Sequence, residues 1–236
     1  MNYALIFAGG VGSRMGSNIP KQFLRVDHKP IIIHVIEKFS AHEDIDGIVV
    51  VCKQDYITEC ESYIKEFNIH KVLAVIAGGS TGQASICCGI NYLKETVSRH
   101  PEQDIILIHD GVRPLIDHDL LTRSIQCVKQ NGNSIAVSPA IETVIRIDAQ
   151  GHIIDTVDRS QCRNAKAPQC FFLADIWAAH QQALQDGVTT IDSATLMSHY
   201  GHQLYTTDCK AENIKITTPN DYYMFKGMYE ARLKPN

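Results

Sequence analysis

An alternation of two patterns constrains this chain more than any other feature. Short apolar runs at Tyr3 to Phe7, Gly47 to Cys52, Lys71 to Ile76, Ile105 to Ile108 and Ser134 to Pro139 are separated by stretches of helical spacing. Those stretches lie at Ile31 to Phe39, Asp55 to Phe67, Ala84 to Val97 and about Asp119 to Gln130. Repeated strand, loop and helix units predict an α/β fold with a mainly parallel sheet covered on both faces. The rhythm breaks at Ala140. Thr143 to Ile147 and His152 to Val157 alternate around Asp148-Ala149-Gln150-Gly151, the pattern of a hairpin. An isolated ribbon is marginal by itself, so this arm, at about 140–168, is expected to pack on a partner. From Pro168 the α/β pattern resumes with a strand, followed by helices at about Ala174 to Gln185 and Asp192 to His199. Strands are expected at Gln203 to Thr207 and Ile214 to Ile216, and a last helix is capped by Thr218-Pro219. The length of 236 residues suits a single domain carrying one elaboration.

Where the first strand ends, the chain reads Ala8-Gly9-Gly10-Val11-Gly12-Ser13-Arg14-Met15-Gly16 and runs on to Pro20-Lys21-Gln22. Closely spaced glycines leave backbone N–H groups free to approach a phosphate chain, and Arg14 and Lys21 add mobile positive charge. The pattern predicts a triphosphate cradle. A dinucleotide-binding turn, the main alternative, needs a third glycine where Met15 stands and an acid after the second strand, where Val51-Cys52 stand. No Gly-Lys-Ser/Thr triplet follows the glycines, so a Walker loop does not fit either.

The formal net charge of -4 and the pI near 6.2 argue against nucleic acid as a partner and require any phosphate site to be locally basic. Eight cysteines occur without a Cys-x-x-Cys pair or a histidine at zinc-finger spacing, and read as reduced thiols. There is no apolar run of bilayer-spanning length and no signal-like leader, so no membrane association and a cytoplasmic location are expected.

In open α/β sheets, ligands bind beyond the carboxyl ends of the strands. The first glycine loop, a second one at Ala77-Gly78-Gly79-Ser80-Thr81-Gly82-Gln83, Asp110 with Gly111, and Lys215 all fall there. Asp110 is where a Mg²⁺ ligand would meet triphosphate oxygens, since Mg²⁺ takes one or two carboxylates and fills its shell with phosphate and water. Glu212 is the candidate for a second metal carboxylate. Lys215 lies in a strand-like apolar run, where a lysine is costly unless it faces solvent or an anion. His109, a single histidine beside a strand end, reads as structural.

Six segments in order carry a family resemblance: Ala8-Gly9-Gly10-x-Gly12-x-Arg14-Met15, Pro20-Lys21-Gln22, His109-Asp110-Gly111-Val112-Arg113-Pro114, Thr156-Val157-Asp158-Arg159, Pro168-Gln169 and Asn213-Ile214-Lys215-Ile216-Thr217. Over about residues 3–225 the chain resembles the methylerythritol-phosphate and ribitol-phosphate cytidylyltransferases. The resemblance implies a Rossmann-like nucleotidyltransferase sheet, Mg²⁺ dependence, and a homodimer whose arm crosses to the neighbouring subunit. It implies that Arg14, Lys21 and Lys215 contact the CTP phosphates and that Asp110 binds the metal. Ala8, Gly9, Gly10, Gly12, Gly79, Ser85 and Gly111 would surround the nucleotide, and Thr143 and Arg159 would reach the acceptor in the other subunit.

The implied reaction is attack by the acceptor's phosphate on the α-phosphorus of CTP, with release of pyrophosphate. Two positions depart from the family pattern. Gly82 stands where an arginine is common, and Lys166-Ala167 stand where the methylerythritol enzymes more often read Gln-Thr or Leu-Thr before Pro-Gln. Because Thr156 to Arg159 reads closer to those enzymes, 2-C-methyl-D-erythritol 4-phosphate is expected ahead of D-ribitol 5-phosphate as acceptor.

Overall fold

The computed structural model describes residues 1–10 and 19–233. In chain order its elements are β1 (Asn2–Ala8), β2 (Arg25–Val26), β3 (Lys29–Pro30), α1 (Ile31–Ser40), β4 (Gly47–Cys52), α2 (Ile57–Glu66), β5 (Val72–Ala77), α3 (Gly82–Tyr92), β6 (Ile105–Asp110) and α4 (His118–Asn131). There follow β7 (Asn133–Pro139), β8 (Ile145–Ile147), β9 (Ile153–Thr156), β10 (Arg163–Phe172), α5 (Leu173–Asp186), α6 (Ser193–His199), β11 (Thr206–Asp208) and α7 (Pro219–Leu233).

Seven strands form the central sheet in the order β11-β7-β10-β6-β1-β4-β5. All pairings are parallel except those of β10, which runs antiparallel to both β6 and β7. The strands are apolar throughout because both faces are buried. Leu5, Val49, Val51 and Ile106 pack with Ile86, Ile90 and Ile176 on one face. Their neighbours Ile6, Val50 and Leu107 pack with Ile36, Phe39, Leu121 and Ile125 on the other. A third, smaller core seats α7: Phe225 packs with Val26, Ile31, Val112 and Ile216. Gly89 lets α3 lie close against the sheet, since a Cβ there would collide with the Leu5 side chain.

The structure departs from the sequence reading in several places. The segment from Ile214 to Ile216 is not a strand. It is held by Ile216 N–H donating to Val112 O (3.0 Å), a link to a loop that offers no ladder. β11 starts later than expected, at Thr206, and β10 starts earlier, at Arg163, with a register shift between Ala165 and Gln169 around the cis Ala167-Pro168 bond. The small β2–β3 hairpin was not anticipated. Asp27 and His28 form its tip at φ 51° and 63°, the left-handed geometry that a two-residue turn requires.

Other boundaries follow from caps. Thr81 accepts from Ala84 N–H (3.1 Å) and starts α3 at Gly82, while Thr218 and Asp221 exchange bonds at the start of α7 as a capping pair. The arm forms as expected, with β8 and β9 antiparallel and apart from the main sheet. Ile141, Ile145, Ile147, Ile153 and Ile154 on it are exposed. The eight cysteines are all free thiols.

Candidate active site

The sheet's register brings the predicted loops to one edge. Phe7 pairs with Asp110, Ala8 with Cys52 and Cys52 with Ala77, so β1, β4, β5 and β6 end level. The two glycine loops meet over the first turn of α3. A Cβ on Gly9 would lie 3.1 Å from Ser85 Oγ, one on Gly78 2.6 Å from the same atom, and one on Gly79 2.5 Å from Ala84 Cβ. Glycine is therefore needed there by packing as well as by any approach to phosphate. Ser85 Oγ is buried and donates to Thr81 O (2.8 Å).

Gly111 donates its N–H to Phe7 O (2.9 Å), and a Cβ on it would press on Ala8 Cβ. The stem of Lys21 runs beside Gly10, with Cε 3.9 Å from where a Cβ would stand. Gln22, without a role in the sequence analysis, is buried and donates to Ala8 O (2.8 Å), fixing the start of the loop. The predicted site residues Gly12 and Arg14 lie outside the described residues.

Asp110 is the electrostatic centre. It is buried at the end of β6, with Lys215 Nζ 2.5 Å from Oδ1 and Arg113 Nε 2.7 Å from Oδ2. Burial pushes its pKa up, but the charges of Lys215 and then Arg113 outweigh that, and the carboxyl sits below its usual range. It remains an anion. Arg113 also donates to Asn213 O (2.9 Å), tying the Lys215 segment to β6, and Lys215 Nζ stands 6.0 Å from the Phe7 ring centre. Arg113 is a site residue to which the sequence reading gave no role, although it lies one turn beyond Asp110 in the same motif.

His109 is buried, takes part in a 3.1 Å bond with Arg113 O, and packs on Phe39. Burial lowers its pKa to about 4, which keeps it neutral and fits the structural role assigned to it. Glu212 does not line the cavity beside Asp110; its carboxylate is exposed and paired with Arg232 of α7 at 2.8 Å. Thr143 and Arg159 do not line their own chain's cavity either. Both are exposed on the arm, where Arg159 donates to Ile141 O (2.8 Å).

Asp110, Arg113 and Lys215 form one wall of a cavity of about 290 Å³ that continues past Phe7, Ile86 and Lys166. A site with several cations around one ionised carboxylate suits a polyanion. Residues 3–229 match the family described as IspD: 2-C-methyl-D-erythritol 4-phosphate cytidylyltransferase. The chain belongs to this family.

Named relatives span the same length. A ribitol-5-phosphate cytidylyltransferase of Streptococcus agalactiae is 45% identical over 234 residues, 98% of this chain and 96% of the relative. A 2-C-methyl-D-erythritol 4-phosphate cytidylyltransferase of Clostridium novyi is 34% identical over 230 residues, 97% and 96% of the two chains. A solved 4-diphosphocytidyl-2C-methyl-D-erythritol synthase from Anaerococcus prevotii superposes with a TM-score of 0.84 over 97% of this chain and 96% of that one, and at 22% identity it supports the fold alone. The protein is thus an IspD-family cytidylyltransferase with the family's seven-stranded α/β fold, and a dinucleotide-binding module is set aside. Among the described residues no helix is long and apolar enough to cross a membrane.

Proposed function

We propose that this IspD-family enzyme transfers CMP from CTP to D-ribitol 5-phosphate, with 2-C-methyl-D-erythritol 4-phosphate as the second candidate acceptor. The observation carrying that order is the 39–45% identity to relatives named for ribitol 5-phosphate, against 34–35% to those named for methylerythritol phosphate. Similarity over the whole chain outweighs the single motif at residues 156–159. The test is kcat/KM for both acceptors. A tenfold preference for the methylerythritol compound, about 1.4 kcal/mol of transition-state discrimination, would reverse the order.

The chemistry asks for little proton transfer. A phosphate monoester has its second pKa near 6, so the attacking oxygen is already ionised at neutral pH and needs no general base. Two anions must instead be held together while charge builds on the α-phosphate. Lys21 beside Gly10 and Lys215 on Asp110 bring positive charge to this edge, and Arg14 is assigned to the same task. Ala8, Gly9, Gly79, Ser85 and Gly111 stand at the sheet edge where the nucleotide would lie. The donor set fits one Mg²⁺ carboxylate: Asp110 stays ionised, faces the cations that would attend the triphosphate, and would hold the ion with substrate oxygens. Bound there, Mg²⁺ would neutralise phosphate charge. Glu212 is the weaker second ligand, because it lies outside the cavity that Asp110 lines.

We further infer a homodimer. Five exposed isoleucines on a two-stranded arm are unfavourable in water, and covering each is worth about 1.5–3 kcal/mol. A second copy would also bring Thr143 and Arg159 to a cavity that they do not line in their own chain.

A further inference from the structure

The segment between α5 and α6 forms a lip of the cavity and has little structure of its own. Thr190, Ile191 and Asp192 line the space together with Asp110, Arg113 and Lys215. Residues 188–192 belong to no helix or strand, and Ile191 is 93% exposed, so apolar packing does not hold the crest of the lip. Val188 N–H closes the end of α5 on Ala183 O (2.9 Å), and Asp192 caps α6 through Thr195 N–H (2.8 Å). Between those ends the backbone groups of the lip need partners from elsewhere.

Gln83, in the first turn of α3, supplies them. Its Nε2 donates to Val188 O (3.0 Å) and its Oε1 accepts from Thr190 N–H (2.7 Å). A carboxamide meets one donor and one acceptor at once, which neither a carboxylate nor a thioether can do. Gly82, the residue before it, presents no side chain, and a Cβ there would meet no atom within 4 Å. The position where an arginine is common in the family is therefore bare, and the reach from this turn to the lip falls to Gln83. On the other side, Gln169 of β10 donates to Asp192 Oδ2 (2.9 Å) and accepts from Ala194 N–H (2.8 Å). The lip is held between two glutamines, one from the nucleotide loop and one from the sheet.

The turn that carries Gln83 is the one on which both glycine loops press. A Cβ on Gly9 or Gly78 would lie 3.1 or 2.6 Å from Ser85 Oγ, and one on Gly79 2.5 Å from Ala84 Cβ. Contacts this close leave no slack between the loops and α3. Within the turn, Ser85 Oγ donates to Thr81 O (2.8 Å) and Thr81 Oγ1 accepts from Ala84 N–H (3.1 Å), so residues 81–85 move as one unit. A nucleotide that orders the loops steadies this unit, and the Gln83 carboxamide carries the effect to Val188 and Thr190.

We propose that Gln83 is a positioning residue that couples the two halves of the site: nucleotide held at the glycine loops fixes the lip at residues 188–192 through its carboxamide. The inference rests on the CTP reading and adds to it the route by which bound nucleotide shapes the rest of the cavity.

The test is amide hydrogen exchange read by NMR at Thr190, with and without CTP and Mg²⁺, beside binding and kinetics. In the parent, saturating CTP should slow exchange at Thr190 about tenfold, the size of one or two hydrogen bonds, and leave the amides of β4 unchanged. Gln83→Met keeps the side-chain length and loses both bonds. In that variant Thr190 should exchange faster and ignore CTP, the calorimetric Kd for CTP should stay within about twofold, and the KM for the better of the two polyol phosphates should rise about tenfold. Melting should fall by no more than about 4 °C. Gln83→Glu, which keeps an acceptor for Thr190 N–H but sets a carboxylate oxygen against Val188 O, should lie between Met and the parent. A merely structural brace would speed exchange equally with and without CTP. A Thr190 amide that ignores CTP in the parent, or a CTP response that survives in Gln83→Met, overturns the proposal and leaves the family reaction intact. A parent that gives no binding heat with CTP overturns the CTP reading, and the proposal with it.

Discussion

Removing either cation from Asp110 should separate stability from catalysis, because the two cations differ in burial. Arg113 has a side chain only 11% exposed and makes two bonds, to Asp110 Oδ2 and to Asn213 O. Breaking a buried pair costs about 3–5 kcal/mol, and since Lys215 stays on Asp110 the low end applies to Arg113→Met, about 3 kcal/mol. For a chain of this size, each kcal/mol lowers Tm by about 2–4 °C, giving a drop of about 6–12 °C. Lys215 is 42% exposed, so solvent screens its pair, and Lys215→Met should cost about 1 kcal/mol and about 2–4 °C. Its effect falls on the reaction instead. Loss of one charge-stabilising donor lowers kcat by about a hundredfold or more. Calorimetric melting and pyrophosphate release, measured on both variants, check the pair of numbers. If Lys215→Met melts as low as Arg113→Met, or Arg113→Met melts within 2 °C of the parent, the division of roles is wrong.

Glu212→Gln should keep turnover within about threefold and leave the Mg²⁺ requirement unchanged, since its carboxylate lies outside the cavity that Asp110 lines; a tenfold rise in the Mg²⁺ needed for half-maximal rate would restore it as a ligand. Mixing inactive Lys21→Ala and Arg159→Ala chains should recover part of the activity through mixed dimers with one intact site, and no recovery after subunit exchange would contradict a shared site. Ile153→Ser should weaken self-association by about tenfold or more, read by sedimentation, because a buried isoleucine is worth about 1.5–3 kcal/mol. Asp110 is held below the ordinary carboxylate value of about 3.9, so its contribution is fully present above that pH and disappears as pH falls through the lower folded value. The urea-stability gap between the parent and Asp110→Asn should therefore be constant from about pH 7 to 5 and narrow only below about 4; a gap closing between pH 6 and 5 would refute this.

What the sequence by itself determined is whatever depends on local order. Apolar runs such as Gly47–Cys52 specified strands buried on both faces, the glycines at 9, 78 and 79 marked the loops pressed on α3, and alternation from Thr143 to Val157 marked the arm. Asp110 was legible as a site residue because it closes an apolar strand, and the functional edge of a parallel sheet lies at its strand ends. Tertiary structure alone decided which side chains meet. Lys215 and Glu212 are close in sequence, yet packing sends one to Asp110 and the other to Arg232. β10 enters antiparallel between β6 and β7, and its return from the arm carries Lys166 into the cavity wall, a placement with no local signature. His180 and Ser193 read as ordinary helix residues, on α5 and at the start of α6. They come to line one cavity only because both helices must cover the same apolar face of the sheet, and burying that face fixes their neighbours whatever polar atoms they carry.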